Sequence, residues 1–434
     1  MPAFTPSSPR GHDPSGRTGL RSRAFKLLIV AAAASFSGYV LLLPTVPLWA
    51  ARGGAGEFGA GSTTAVFMLA TVLTQLAMPW LLDRGGYRWT FPVGALLLAL
   101  PTPLLVLSSD LPPVLAISAV RGIGFGMVTV VGAAQSVRLV PARHLGRAAA
   151  YYGAAVGIPI LVFLPLGIWL ALNVSFAAVF WIATATPLVG AVAAVGLWHA
   201  GGAALQEENT EPNDPAGRPS REPEPSVARI WLALVTPLLI MLAMALASSA
   251  IVTFLAIPLS EAAFVATAAL LGYGAFTVFG RWLAGHLSDR YNRPVVLLPG
   301  TVAAAAGMAM MTWALWPAVT GWTGPTLPGT VLIVAGATLF GGAFGAVQND
   351  TIVAMFRRAG PQGYGTASSV WNIGYDAGTG AGALGLGLVA QTLGFGATFA
   401  VAAIAVAACL PAARRLSGKQ RPPARTAEGS GVVD

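Results

Sequence analysis

Long apolar runs separated by short polar segments make up most of the chain. Each run is close to the roughly 20 residues that a helix needs to cross the hydrocarbon core of a bilayer. We place twelve, at 26–48, 58–82, 90–108, 113–136, 148–171, 175–197, 231–257, 263–284, 294–316, 328–348, 365–390 and 394–413. The first run follows a basic segment, but it is longer than the apolar core of a secretion signal and more runs follow. We therefore interpret it as the first helix.

One polar segment divides the runs into two groups of six. It contains EENTEPNDPAGRPSREPEPS, which is rich in Pro and in charges of both signs and cannot form a core. The predicted fold class is an all-α polytopic membrane protein with twelve transmembrane helices. Its predicted regions are a disordered tail (1–23), a six-helix half (24–198), a linker (199–228), a second six-helix half (229–415) and a disordered tail (416–434).

Composition agrees with lipid as the main solvent. Of the 434 residues, 55% are hydrophobic and 9% are charged, whereas soluble domains have about 25% charged residues. The net charge of +9 does not indicate a nucleic-acid partner, because the basic residues lie in short loops and tails rather than on one folded face. Cys409 is the only cysteine, so the chain cannot form an internal disulfide or a thiolate metal site.

The basic residues also predict the orientation. Cytoplasmic loops of membrane proteins carry an excess of Lys and Arg. With both termini in the cytoplasm, every Lys and Arg except Arg52 and Arg121 falls in a cytoplasmic segment, and Arg281 is counted in the loop after the eighth helix. The predominance of Arg over Lys indicates a GC-rich genome. The expected location is a bacterial plasma membrane, as a multi-pass protein.

A short element recurs after the second helix of each half. The segments PWLLDRGGYRW, from Pro79, and GHLSDRYNR, from Gly285, carry Asp83-Arg84 and Asp289-Arg290 at the same place. Such a repeat is expected of two parallel halves related by an axis along the membrane normal. An Asp at the membrane surface can accept hydrogen bonds from the free N–H groups of a helix end. Its neighbouring Arg can pair with a carboxylate or a lipid phosphate.

These loops give the chain a resemblance to the major facilitator superfamily over about residues 24–415. The family's loop signature is Gly-x-x-x-Asp-Arg/Lys-x-Gly-x-Arg/Lys, with which these residues agree: Asp83, Arg84, Gly86 and Arg88 in the first half, and Gly285, Asp289 and Arg290 in the second. Pro79 replaces the leading Gly of the first copy, and Asn292 replaces the later Gly of the second. The resemblance implies that the two loops latch the cytoplasmic gate.

Two further helices echo the family. Its members often have an Arg three residues before Arg121, where this chain has Ser118. The fifth helix, YYGAAVGIPILVFLPLG, echoes a Gly-Pro signature of drug:proton exchangers through Gly153, Gly157 and Pro165. In character the resemblance is closest to bacterial exporters of drugs or metabolites in exchange for protons. A kinked, closely packed helix explains the same residues equally well.

Asp376 is the only one of the 16 acidic residues that we place within a predicted span. On a helix wheel, Asn372, Asp376 and Thr379 share one face, and Gly374, Gly378 and Gly382 lie roughly opposite. The helix thus has a polar face towards a cavity and a small-residue face for packing. We favour Asp376 as a proton or cation site, since carboxylates within membranes usually mark transport pathways. The alternative is a permanent ion pair with Arg121, and the two can combine if Arg121 releases Asp376 in one state.

Polar and aromatic residues on other spans are candidates for the lining of that cavity. They are Tyr39, Gln75, Gln135, Tyr273, Gln348 and Asn349. For each, a structural role with a backbone carbonyl or a neighbouring helix as partner is the alternative. A mostly apolar cavity with one acid and one Arg favours an amphiphilic or hydrophobic substrate, cations included.

Together these features predict a secondary transporter that works by alternating access and exports a small organic molecule against protons. A proton-coupled uptake symporter is the alternative. A polytopic membrane enzyme is disfavoured, because the four His residues have no ligand spacing and the outer loops carry only Glu57, Asp110 and Glu261. We predict no catalytic residue, cofactor or metal. The predicted partners are the substrate, protons and the lipid bilayer, without nucleic acid, and the protein is expected to act as a monomer.

Overall fold

The structure is a computed structural model that describes residues 19–141, 144–202, 227–291, 293–316, 326–360 and 363–417. Most of both predicted tails, residues 203–226 of the predicted linker, and Asn292 lie outside the described residues. At both of its ends the predicted linker is helical. A π-helical turn covers Trp198–Gly202, and a helix begins at Val227.

Helices form nearly all of the described chain. In chain order they are α1 (Arg23–Leu42), α2 (Thr45–Arg52), α3 (Gly56–Ala99), α4 (Leu111–Arg138), α5 (Leu145–Asn173), α6 (Phe176–Leu197), α7 (Val227–Ser249), α8 (Ala263–Tyr291), α9 (Leu297–Leu315), α10 (Leu327–Ala359), α11 (Tyr364–Ala407) and α12 (Leu410–Ser417). A 3₁₀-helix, Thr102–Val106, follows α3, and a π-helical turn, Ala250–Phe254, extends α7.

Ten helical segments within the described ranges are long and apolar enough to cross a membrane. The count differs from the twelve predicted runs because α3 and α11, of 44 residues each, join two predicted spans apiece. As a straight helix of 1.5 Å per residue, each would be about 66 Å long, about twice the thickness of a hydrocarbon core. Each is also broken by a glycine at positive φ, Gly86 at 63° and Gly394 at 83°. Glycine adopts this conformation without the steric penalty that a side chain brings.

Small residues let helices approach within each half, and the two halves repeat the same contacts. Gly122 and Gly126 of α4 lie against the carbonyls of Phe67 and Thr71 of α3. In the second half, Gly341 and Gly345 of α10 lie against the carbonyls of Tyr273 and Thr277 of α8. Such close packing holds helices together where lipid provides no hydrophobic drive for their association. The repeat seen in the loops therefore extends to the packing of the helices.

The glycine face predicted for the eleventh helix is confirmed. A Cβ on Gly378 would lie 2.6 Å from the Leu242 carbonyl oxygen, and Gly374 and Gly382 face Leu238 and Leu246 of the same helix, α7. Because α7 occupies this face, the opposite face of α11 is turned towards the other half of the molecule.

The two halves meet where α3 packs on α11 and where α5 packs on α8. We call the end with the Asp83 and Asp289 loops the Asp-Arg end and the opposite end the far end. At the far end the halves are in contact: the Phe58 amide donates to Gln391 Oε1 over 3.2 Å, and the Thr253 hydroxyl donates to Thr64 over 3.5 Å.

The contact between the halves is lost towards the Asp-Arg end. On α5, a Cβ at Gly157 would touch only Val278 of α8, at 3.8 Å, and a Cβ at Gly153, one turn further on, would have nothing within 4 Å. The structure is thus closed at the far end and open between its halves at the Asp-Arg end.

Candidate functional site

A hydrogen bond between the two halves marks the inner limit of this opening. Gln75 Nε2 on α3 donates to Asp376 Oδ2 on α11 over 2.7 Å. Both side chains are buried. Gln75 Nε2 also lies 3.4 Å from the Thr129 hydroxyl of α4. The lone acid that the sequence places on a polar face therefore has its partner on the other half, and that partner is one of the predicted lining residues.

The polar face of α11 runs from the opening to this bond. Ser369 and Asn372 are exposed, whereas Asp376 and Thr379 are buried. Asn372 donates to the Ser368 carbonyl over 2.8 Å, and Thr379 donates to the Tyr375 carbonyl over 2.9 Å. Since both polar neighbours satisfy themselves on their own helix, Asp376 is the member of this face that bonds across the interface.

Arg121 is buried in the first half, and its guanidinium lies 5.5 Å from the centre of the Phe67 ring. Its Nε has no hydrogen-bond partner. It lines a cavity of about 20 Å³ together with Tyr39, Thr64 and Ser118, which is room for about one water molecule. Within the part of the chain that is described, no ion pair joins Arg121 to Asp376. The proposed ion pair is therefore not formed in this conformation.

Aromatic rings line both sides of the centre. In the first half, Tyr39 stacks on Phe125 with ring centres 4.0 Å apart. In the second half, Phe344 stacks on both Tyr273 and Tyr375, at 6.2 Å each. Tyr39 also lines the small cavity beside Arg121. Its ring therefore lies next to the buried Arg of the first half.

The other predicted lining residues are not all brought together. Gln135 lies within the first half, in a separate cavity of about 10 Å³ between α1, α3, α4 and α6. Tyr273 shares a 2.7 Å hydrogen bond with Ser248. Gln348 is buried and its Oε1 has no partner, while Asn349 lies beside Gly285 at the Asp-Arg end.

Comparison with known proteins bears on what such a site does. Residues 27–349 match the sequence profile of the Major Facilitator Superfamily. The chain belongs to this superfamily of transporters.

Similarity to individual curated proteins is weaker than the match to the superfamily profile. Two uncharacterised transporters of the superfamily type from Mycobacterium tuberculosis, strains CDC 1551 / Oshkosh and ATCC 25618 / H37Rv, are 28% identical over 188 residues. The match covers 42% of this chain and only 26% of theirs. It thus spans about a quarter of the length of these curated relatives.

Solved structures share the superfamily fold along nearly the whole chain. The nucleoside transporter NupG has a TM-score of 0.65 at 10% identity, over 92% of this chain and 100% of its own. A mutant of the peptide transporter POT, in complex with sulfate, has a TM-score of 0.71 at 13% identity, over 93% and 98%. A bacterial homologue of the lysosomal transporter Spinster, inward-facing and unoccupied, has 0.65 at 15%, over 95% and 100%. At such low sequence identities, the similarity to these structures shows that the fold is shared and nothing about the substrate.

The residues of the superfamily's loop signature lie within α3 and α8 rather than in loops, with the first copy at the break of α3 and the second at the end of α8. Asp83, Arg84 and Arg88 of the first copy are exposed, as are Asp289 and Arg290 of the second. Arg84 lies 4.3 Å from the ring centre of its neighbour Trp80. Within the described ranges, neither Asp makes a hydrogen bond or an ion pair, so the latch remains a prediction.

Sequence reasoning missed a second buried acid. Asp350 is fully buried and accepts hydrogen bonds from Ser288 Oγ and from the Val296 amide, at 2.8 Å each. The sequence places Asp350 at the inner end of the tenth helix, and the structure has it inside α10, which continues to Ala359, past the predicted end at 348. That Asp376 is the only acid within a span stays a prediction. The sequence Gln348-Asn349-Asp350, which continues an apolar run, was the available signal.

Arg281 was also misplaced. The prediction assigned it to the loop after the eighth helix, but it lies within α8, ten residues before the end of that helix at Tyr291. Its side chain is exposed and lies near Tyr375 of α11. A basic residue at this depth is a candidate site residue rather than a topological signal.

Proposed function

We propose that the protein is a secondary active transporter that exports a small organic molecule in exchange for protons, with Asp376 as the residue that carries the proton. The observation behind the proposal is the 2.7 Å hydrogen bond between Gln75 and Asp376. It places a buried carboxylate on the interface that alternating access must open and close, at the inner end of a path open to one side.

The chemistry of the pair suits a change of protonation. A carboxylate in apolar surroundings is costly, and binding a proton relieves that cost. The amide group of Gln75 donates to the ionised acid, whereas its Oε1 is buried without a partner. After rotation of the amide, that oxygen can accept a hydrogen bond from the protonated acid. The same two side chains can therefore serve both protonation states of Asp376.

The breaks in α3 and α11 support twelve crossings. Each helix turns at a glycine of positive φ, Gly86 or Gly394, so each would cross the bilayer twice. An even number of crossings places both termini on one side, and the excess of Arg in the loops at the Asp-Arg end favours the cytoplasm. The open end then faces the cytoplasm of a bacterial cell. In this conformation a substrate from inside the cell would reach Asp376.

The aromatic walls around Tyr39 and Tyr375 support a substrate with an apolar body. Contact with the rings stabilises the binding of such a substrate, and the transfer of its apolar body out of water costs little free energy.

The test is substrate-driven proton movement in vesicles with the reconstituted full chain. Wild type is compared with Asp376→Asn and with Asp110→Asn, which removes an acid that makes no capping hydrogen bond at the start of α4. We expect protons to move against the substrate in the wild type and in Asp110→Asn, and not in Asp376→Asn. Full proton movement in Asp376→Asn would refute the role of this residue. Protons moving with the substrate would replace export by uptake symport.

A further inference from the structure

Arg281 faces the centre of the protein although it lies within a membrane-crossing helix. Phe276, Phe279 and Trp282 of α8 are 46%, 50% and 63% exposed and form the lipid-facing stripe of that helix. On a helix wheel Arg281 points away from this stripe and shares a face with Gly274 and Val278. Gly274 and Val278 contact α5 of the other half. Arg281 therefore points into the gap between the halves.

The internal repeat shows what Arg281 corresponds to. Met68 of α3 packs on Gly380 of α11, and in the other pair Gly274 of α8 packs on Ile160 and Leu161 of α5. Seven residues after Met68 is Gln75, and seven after Gly274 is Arg281. Both stand eight residues before the Asp of their loop. Arg281 is thus the counterpart of the residue that binds a carboxylate in the first pair.

Neither position that corresponds to Asp376 carries an acid. Asp376 precedes Gly380 by four residues, and the same step from Ile160 and Leu161 leads to Val156 and Gly157. A Cβ at Gly157 would meet only Val278, and a Cβ at Gly153 would meet nothing within 4 Å. Where the first pair of helices has a carboxylate, the second pair has open space.

The charge of Arg281 has no acidic partner in the described part of the chain, in which no ion pair to its guanidinium is found. Its side chain is exposed and lies near Tyr375 of α11. Because it points between the halves, this exposure indicates that it faces the opening rather than lipid. An isolated cation within a membrane segment is costly unless it lines such a cavity and serves a ligand.

We infer that Arg281 binds the anionic group of the transported molecule, which makes the substrate an organic acid with an apolar body. The inference rests on the proposed function, since it supplies the substrate of that same cavity. The carboxylate of the substrate would take, beside Arg281, the place that Asp376 takes beside Gln75. Arginine suits this role because its planar guanidinium can donate two parallel hydrogen bonds to one carboxylate.

Aromatic rings next to Arg281 provide a surface for the apolar body. Tyr375 stacks on Phe344 at 6.2 Å and on Trp371 at 6.1 Å. An acid bound at Arg281 can lay its body along this stack. The substrate class is therefore an amphiphilic anion rather than the cation that Asp376 considered alone would favour.

Binding to the purified full chain in detergent tests the inference without transport or a proton gradient. The probes are benzoate, benzamide and benzylammonium, which share a ring and differ in charge, at equal ionic strength. The readout is the rise of the melting temperature with probe concentration, because a ligand that binds only the folded state stabilises it. The variants are Arg281→Gln, Arg281→Lys and the control Arg293→Gln, an exposed Arg of the following loop.

We expect benzoate to stabilise the wild type and Arg293→Gln more than the other two probes do. Arg281→Gln should bind benzoate about 10- to 100-fold more weakly, the usual effect of losing a charge-assisted bond, and Arg281→Lys should keep part of the affinity. Equal effects of benzoate and benzamide on the wild type would overturn the inference. A benzoate effect in Arg281→Gln as large as in the wild type would also overturn it. So would the absence of any benzoate effect in the wild type, as when a lipid phosphate occupies Arg281. Each result is independent of whether Asp376 couples transport to protons.

Discussion

At the scale of single residues, two buried carboxylates have different surroundings. Asp350 accepts from Ser288 and from the backbone amide of Val296, both within its own half. Asp376 accepts from one side chain, Gln75, which belongs to the other half. Donors that are fixed within one half stay with Asp350 when the halves move, whereas Asp376 loses its donor. Asp350 is therefore suited to structure and Asp376 to coupling.

The structural role of Asp350 predicts a loss of stability on truncation. Asp350→Ala leaves the Ser288 hydroxyl and the Val296 amide without their acceptor near the start of α9. We expect the free energy of unfolding to fall by about 1–3 kcal/mol. Thermal unfolding in detergent measures this against Asp110→Ala. A fall no larger than that of the control would mean that the two hydrogen bonds contribute little.

Two adjacent glycines allow a matched test of backbone strain. Gly86 has a φ of 63°, whereas its neighbour Gly85 is helical, and a Cβ at Gly85 would have nothing within 4 Å. Gly86→Ala should destabilise the protein by about 1 kcal/mol or more, because an L side chain is strained at positive φ. Gly85→Ala should be neutral or slightly stabilising. Equal melting temperatures for the two variants would contradict the break that divides α3.

At the scale of elements, α11 shows how one helix serves two purposes. Its glycine face packs on the backbone of α7, and its polar face carries Asp376 to the other half. Close packing fixes the rotation of the helix about its own axis. That rotation in turn directs Asp376 at Gln75 rather than at lipid.

The packing face predicts opposite effects for the same substitution along α11. Gly378→Ala places a methyl group 2.6 Å from the Leu242 carbonyl oxygen, whereas at Gly385 nothing lies within 4 Å. Overpacking should make Gly378→Ala less stable by about 1–3 kcal/mol. Gly385→Ala should be neutral or more stable, because Ala favours a helix. The melting temperatures of both variants measure these effects. A higher melting temperature for Gly378→Ala would show that α7 and α11 are not packed this closely.

The sequence was informative where a local pattern carried the information. The two faces of α11 followed from helical periodicity, and the two halves followed from the polar linker and the repeated loops. The partner of Asp376 could not be found this way, because Gln75 is 301 residues distant and no local rule relates the two. The count of basic residues placed Arg281 in a loop, because such a count does not consider which way a side chain points from its helix. The aromatic stripe of Phe276, Phe279 and Trp282 would have shown that it points inward.

At the scale of the whole molecule, two similar halves enclose an opening that ends at Gln75 and Asp376. The far end is closed by contacts such as Thr253 with Thr64, and the α5–α8 contact ends near Gly157. Alternating access requires these contacts to break while those at the Asp-Arg end form. Asp83, on α3 just before the break at Gly86, and Asp289, in the last turn of α8, are exposed and available to form them.

This arrangement predicts one-sided access to the polar face of α11. In a Cys409→Ser background, Ser369→Cys lies on the exposed part of that face, whereas Thr63→Cys is buried at the far end. A thiol reagent that cannot cross the membrane should modify Ser369→Cys rapidly from the Asp-Arg side and Thr63→Cys slowly from the far side. Similar rates at both positions would contradict the closed far end.

The central claim is that Asp376 changes its protonation in the folded protein, and infrared difference spectroscopy during a pH titration tests it most directly. We expect acidification to produce the carbonyl band of a protonated carboxylic acid in the wild type. Other acids of the chain add their own carbonyl signal on acidification, so the variants are compared by difference: part of the wild-type band should be missing from Asp376→Asn and retained in Asp350→Asn. A band of undiminished intensity in Asp376→Asn, or none in the wild type across the pH range in which the protein stays folded, would contradict the claim.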